Sequence, residues 1–214
     1  MDIRKESALK IAEFLLQIKA VKLQPGNPFT WASGWISPIY CDNRKTLSFP
    51  HIRTYIRQQM VKAIEKQYGK PDAIVGVATG GIPQGVLVAQ DMGLAFAYVR
   101  PEPKIHGTAS QVEGVLEPGQ SVVLVEDLIS TGGSSLKAVE ALRNHKIKVK
   151  GMAAVFNYGF DKAAENMKLA QVDLISLCDY NILITQALKS GYISEKDIET
   201  LEAWRKKPET WGQK

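Results

Sequence analysis

The stretch from Ser121 to Ser135, SVVLVEDLISTGGSS, constrains the fold more than any other part of the chain. Val122-Val123-Leu124-Val125 is an unbroken β-branched and aliphatic run, which reads as a strand buried on both faces. Glu126 and Asp127 stand where that strand should end. Ser130-Thr131-Gly132-Gly133-Ser134 then supplies hydroxyls and glycines ahead of a helical pattern, Leu136, Val139, Glu140, Leu142, Arg143. A strand, a tight turn and a helix start together make an anion site. Backbone N–H groups and the positive end of the helix dipole face the ligand there, and glycine lets the backbone come close. Two carboxylates would repel a bare phosphate. They suit a ligand that also carries neighbouring hydroxyls or a bound Mg²⁺, such as a ribose bearing phosphates. The same residues would also serve as a solvated strand end followed by a serine cap. Neither G-x-x-x-x-G-K-[ST] nor G-x-G-x-x-G occurs in the chain.

Upstream, Ala8, Ile11, Ala12, Leu15 and Ile18 give an amphipathic helix over 7–19. Residues 23–47 are rich in Pro, Gly, Asn, Trp and Tyr and have no helical period. A second helix starts near Ser48, with Pro50 as entry signal, carries Ile52, Tyr55, Ile56, Met60, Ala63 and Ile64 on one face, and stops at Gly69-Lys70-Pro71. From Asp72 onward strand and helix signals alternate. Strands are expected at 73–78, 94–99, 122–125, 149–156 and 172–177, with a turn at Thr79-Gly80-Gly81-Ile82-Pro83 and a helix at 84–92. That alternation argues an α/β fold with a parallel sheet flanked by helices. Ligands of such sheets bind beyond the carboxyl ends of the strands. Residues 100–116, RPEPKIHGTASQVEGVL, lack a period and lie between two strands. They form a candidate lid, with Arg100, Lys104 and His106 as donors and Gly107 and Gly114 as hinges. A further helix, capped by Ser194, runs to Trp204.

Composition narrows the class. The 214 residues are 45% hydrophobic and 23% charged, enough for a full core in an ordinary soluble domain. No apolar run has the length of a membrane span, and MDIRKESALK lacks a signal-peptide core. Two cysteines, Cys41 and Cys178, offer neither metal spacing nor a disulfide framework, which fits a reducing cytoplasm. The net charge of +5 is spread through scattered lysines and the Arg205-Lys206-Lys207 tail, which argues against a concentrated nucleic-acid face.

VVLVEDLISTGGS resembles the ribose-phosphate signature of the type I phosphoribosyltransferases. Phe29–Arg44, FTWASGWISPIYCDNR, is similar to the N-terminal segment of the orotate phosphoribosyltransferases, where F-T-x-x-S-G and S-P-x-Y/F wrap the pyrimidine. With YVRPEPKIHG the motifs fall in the family's order, and the resemblance covers essentially the whole chain. It implies a single domain over 1–214, with a small N-terminal hood at 1–47, a core sheet at 72–178 and a flexible lid at 100–116. It implies orotate and 5-phosphoribosyl 1-pyrophosphate (PRPP) as small-molecule substrates, with orotidine 5′-monophosphate and pyrophosphate as products. PRPP would meet Arg100, Lys104, His106, Glu126, Asp127, Leu128 and Ile129, its 5′-phosphate held by Ser130, Thr131, Gly132, Gly133 and Ser134. Thr79, Gly80 and Gly81 would hold the pyrophosphate. Ser33, Gly34, Tyr40 and Ser130 would contact orotate, with Tyr40 or Trp31 as the flat apolar surface. Lys104, Glu126 and Asp127 would be catalytic. Mg²⁺ would be held mainly through PRPP, with no direct protein ligand assigned. The resemblance further implies a cytoplasmic homodimer with shared sites, and no nucleic-acid or membrane partner.

One branch of the family carries lysine where this chain has Ala32, Gly80 and Pro101, and arginine near Asn157-Tyr158. Here the partner of the orotate carboxylate is therefore unassigned. A purine or uracil phosphoribosyltransferase would keep the signature without the Phe29–Arg44 pattern, and a PRPP-sensing regulator would add a basic face or a helix-turn-helix.

Overall fold

The computed structural model describes residues 3–102 and 111–212; residues 103–110 of the expected lid, with Lys104 and His106, lie outside them. The chain groups into two compact units, one of residues up to Pro50 together with Cys178 onward, the other of His51–Leu177.

The first unit opens with α1 (Ile3–Gln17), whose Ala8, Ile11, Ala12 and Leu15 are buried at helical spacing. The aperiodic stretch that follows is two small antiparallel ladders. β1 (Val21–Leu23) pairs with β4 (Ile39–Cys41), and β2 (Phe29–Thr30) pairs with β3 (Ile36–Ser37). A 3₁₀ helix at Asn43–Ser48 leads on to α2.

The second unit is built on α2 (Pro50–Tyr68), β5 (Ala73–Val77), α3 (Gly81–Met92), β6 (Ala95–Val99), β7 (Val112–Glu113), β8 (Ser121–Ile129), α4 (Gly133–Asn144), β9 (Lys148–Asn157), α5 (Asp161–Leu169) and β10 (Leu174–Asp179). Proline at the first position of α2 has no N–H to leave unsatisfied, and Gly69, at φ +67°, ends the helix in the left-handed region. The strands form one sheet in the order β10-β9-β8-β5-β6-β7. The β6/β5, β5/β8 and β8/β9 pairs are parallel, whereas β7 pairs antiparallel with β6. Every residue of β5 is buried, and Val122–Val125 of β8 are fully so. α3 packs on β5 and β8, and α4 on β8 and β9.

The structure differs from the sequence expectation at the end of β8. The acidic pair does not terminate the strand, which continues to Ile129 because β9 runs beside it. Glu126 pairs with Ala154, Leu128 with Phe156 and Ile129 with Asn157. Pairing with β5 ends earlier, at Gly76↔Val125. The carboxyl end of β8 therefore overhangs β5. A second difference lies at residues 100–116, expected to lack regular structure throughout. Val112 and Glu113 pair back onto Val99 and Tyr98, and the Arg100 N–H donates to the Gln111 carbonyl at 2.8 Å.

The chain then returns to the first unit through α6 (Tyr180–Lys189), which packs on α1, and α7 (Glu195–Lys206). The Asp197 carboxylate accepts from the Ser194 N–H and Oγ, both at 2.9 Å, and closes the expected cap. Trp204 is fully buried, edge-on to Trp31 at 5.7 Å and 5.6 Å from Tyr180. No helix among the described residues is long and apolar enough to cross a membrane.

Candidate active site

Strand order fixes where a ligand can bind. From β5 the chain turns through α3 to β6 on one side, and from β8 it turns through α4 to β9 on the other. The connections diverge between β5 and β8, and beyond their carboxyl ends a crevice opens. Two turns border it, Ala78-Thr79-Gly80 after β5 and Ser130-Thr131-Gly132 after β8.

The first turn is packed against the signature strand. A Cβ at Gly81 would overlap the Val125 carbonyl, and one at Gly80 would overlap the Asp127 carboxylate. Gly80 has ordinary right-handed helical angles, φ −67° and ψ −33°. Its need for glycine is therefore steric: the carboxyl group of Asp127 occupies the space a side chain would fill.

Successive strand residues face opposite ways. Asp127 faces the Gly80 turn, and Glu126 faces α4, where its Oε1 accepts from the Ser135 hydroxyl at 2.6 Å. Glu126 is 5% exposed and Ser135 1%. Burial pushes the Glu126 carboxyl up from an ordinary 4.5 to about 8; the Ser135 hydrogen bond opposes the rise and the neighbouring Asp127 adds to it. Burial thus favours the protonated form of Glu126 at neutral pH.

The second turn is held by its glycine. Gly132 has φ +79°, and a Cβ there would come within 2.8 Å of Met167 Cε on α5. Its carbonyl accepts from the Leu136 N–H at 2.9 Å and so opens α4. Gly133 meets nothing within 4 Å, which leaves its side-chain position open toward solvent. Beside it lies a cavity of about 330 Å³ lined by Ala78, Arg100, Gly133, Ser134 and Lys137 among others. Arg100 reaches Glu113 at 3.7 Å. Two cations, the Glu102 carboxylate, the amino end of α4 and the Ala78 turn border one space, in which the cations and the helix end can meet a polyphosphate.

A profile of the phosphoribosyl transferase domain matches residues 48–187. An orotate phosphoribosyltransferase of Porphyromonas gingivalis is 56% identical over 202 residues, spanning 94% of this chain and 96% of that protein. The chain belongs to the orotate phosphoribosyltransferase family. The crystal structure of orotate phosphoribosyltransferase from Aeropyrum pernix superposes with a TM-score of 0.74 at 31% identity, covering 86% of this chain and 99% of that one. The fold is also that of the Mycobacterium tuberculosis orotate phosphoribosyltransferase in complex with PRPP, with a TM-score of 0.66 at 22% identity, covering 83% and 98% of the two chains.

Against the family pattern, the second unit brings together Thr79, Gly80 and Gly81, Arg100, and the run from Glu126 to Ser134. Glu126 and Asp127 point to opposite faces, where the resemblance implied one shared role. Ser33, Gly34 and Tyr40 belong to the first unit. Gly34, at φ +86°, turns the β2–β3 hairpin, with its N–H on the Trp31 carbonyl at 2.8 Å and Ser33 Oγ 3.5 Å from the Trp35 nitrogen. Trp31 is taken up in packing, its indole N–H donating to the Ile39 carbonyl at 2.9 Å and its ring stacked at 6.2 Å on Trp35. Tyr40 stays 40% exposed. At the end of β9 the Asn157 Oδ1 accepts from the Gly159 N–H at 2.9 Å. Sequence reasoning missed Ser135, Lys137 and Asn166. Ser135 and Lys137 follow the glycine turn directly and were legible as first-turn residues of α4; Asn166 carries no local signal. Among the described residues no group of three or more His, Cys, Asp or Glu side chains could hold a metal ion.

Glu126 yields a pH prediction. Its folded value near 8 lies above the ordinary 4.5, so the folded protein keeps a proton that the unfolded chain loses. Stability should therefore fall as pH rises through that window. Glu126→Gln keeps the acceptor for Ser135 but cannot ionise. Its melting temperature should gain on the wild type steadily from pH 5 to pH 8; parallel melting curves across that range would refute the buried, protonated state.

Proposed function

We propose that this chain transfers the 5-phosphoribosyl group of PRPP to N1 of orotate, giving orotidine 5′-monophosphate and pyrophosphate, a step of pyrimidine synthesis. The observation that carries the reading is the Asp127 carboxylate packed on the Gly80 turn, with the glycine-rich start of α4 at the other end of the same strand overhang. Family membership supplies the identity of the base.

Ribose spans the overhang of β8, with its 5′-phosphate on Ser130–Ser134 and its pyrophosphate toward Thr79–Gly81 and Arg100. Asp127 accepts from a ribose hydroxyl, and Glu126, on the opposite face of the strand, holds the Ser135 hydroxyl at the start of α4. N1 of orotate gives up its proton to solvent and supplies the electron pair that forms the bond to C1′, while the C1′–oxygen bond breaks and its pair leaves on pyrophosphate. No covalent intermediate with the protein is needed; the residues position the reactants and stabilise charge. Arg100, Lys137 and the lid residues Lys104 and His106 offset the charge gathering on pyrophosphate. Asp127 moderates the positive charge developing on the sugar ring. Mg²⁺, held mainly through the substrate's own phosphates beside Asp127, would supply further neutralisation of that leaving group. Ser33, Gly34 and Tyr40 receive the base. Free Cys41 and Cys178 accord with a cytoplasmic enzyme.

The test is an absorbance assay of the purified protein with PRPP, Mg²⁺ and a panel of bases. Orotate should be consumed in preference to uracil, adenine and hypoxanthine, and a preference for any of those three would overturn the assignment. Chelation should abolish turnover and added Mg²⁺ restore it; full activity in excess chelator would remove the metal from the account.

The enzyme acts as a homodimer in this reading, the lid of one chain covering the site of the other. Co-expression of Lys104→Ala with Asp127→Asn, each nearly inactive alone, tests it. If lids act in trans, a mixed dimer has one site with both faults and one with neither. Random assortment makes about half the dimers mixed, so about a quarter of all sites should recover. A demonstrated mixed dimer without activity would sink the shared site.

A further inference from the structure

The turn after β8 is braced from outside by α5. Asn166 Nδ2 donates to the Thr131 carbonyl at 3.1 Å, and the next residue, Met167, sits against Gly132. The two belong to one inward face of α5: Ala163 and Met167 are buried, and Asn166 is half-buried beside them.

That hydrogen bond acts on more than the carbonyl it touches. A trans peptide is planar, so the Thr131 carbonyl and the Gly132 N–H point in opposite directions. α5 joins β9 to β10, on the side of β8 away from β5, whereas the cavity beside Gly133 is bordered by Ala78 and Arg100 on the β5 side. Pulling the Thr131 carbonyl toward α5 therefore turns the Gly132 N–H toward the cavity. The following peptide is fixed as well, because the Gly132 carbonyl accepts from Leu136. Its partner, the Gly133 N–H, then points out of the amino end of α4. Without Asn166 the Thr131–Gly132 peptide has a glycine on one side to let it rotate, and a rotated peptide would present its carbonyl to an anion.

We propose that Asn166 is a positioning residue for the phosphate turn, holding the Thr131–Gly132 peptide so that its N–H faces the ligand. This rests on the reading that Ser130–Ser134 hold the 5′-phosphate. Asn166 touches no substrate in this arrangement; it acts through the backbone it orients.

The experiment uses the full-length enzyme with ¹⁵N-labelled glycine, in the wild type, Asn166→Leu, and Asn166→His, whose ring Nδ1–H can restore a donor at the same reach. PRPP without orotate is the probe. In the wild type the Gly132 amide signal should move downfield on PRPP addition. In Asn166→Leu that movement should be lost and KM for PRPP should rise on the order of tenfold, as expected for one hydrogen bond to a charged group. KM for orotate should stay within about twofold, and Asn166→His should recover part of the PRPP affinity. A wild-type Gly132 signal that ignores PRPP would overturn the phosphate reading of the turn. A signal that moves equally in the wild type and Asn166→Leu, with equal KM for PRPP, would overturn the role of Asn166 and leave the phosphate reading standing. Should Asn166→Leu not fold, Asn166→Ala is read in the same way, and failure of both to fold would assign Asn166 to stability alone and end the proposal.

Discussion

Everything at the crevice depends on the unequal pairing of β8. Its ladder with β5 closes at Val125, while its ladder with β9 continues to Ile129. One edge of the overhang is therefore bonded and the other faces the crevice. Held in the ladder, Glu126 and Asp127 are sent to opposite faces by the two-residue period. Adjacent in sequence, they meet different surroundings: Glu126 the buried hydroxyl of Ser135, Asp127 the backbone of Gly80.

That division answers the repulsion that two carboxylates beside phosphates would otherwise cause. Burial keeps a proton on Glu126, and only Asp127 stands at the mouth of the crevice next to the β5 turn. Neighbouring acids whose environments separate their titrations can take different tasks in one reaction. Gly80 belongs to the same solution. A longer residue there would have to displace the Asp127 carboxyl group.

The central strands were legible because their apolar runs are long and buried on both sides; Ala73–Val77 and Val122–Val125 behave as the composition implies. The amphipathic stripes of α1 and α2 and the serine cap of α7 were legible for the same local reasons. β1 to β4 were not, because ladders of two or three residues have no period to detect. The extension of β8 was hidden by the acids, which read as a strand end until a neighbouring strand is known. Residues 161–169 and 180–189 carry helices that the sequence reading passed over, α5 being too short and too polar for its stripe of Ala163 and Met167 to stand out. At the site, the turn glycines and the signature acids were visible as a motif. The direction of each acid, and the brace from Asn166, depend on elements that meet only in three dimensions.

The short β7 ladder has a bearing on how this enzyme family can vary. Val112 and Glu113 are tied to Val99 and Tyr98, and Arg100 to Gln111, so the two ends of the intervening segment are fixed close together by the sheet itself. Closing a segment whose ends are already joined costs little more as it lengthens, about 0.6 kcal/mol for each doubling. Insertions and deletions between residues 101 and 110 can therefore accumulate without disturbing β5, β6 or β8. The staple lets this segment change in length at little cost to the fold, while the phosphate turn and the acidic strand stay where they are.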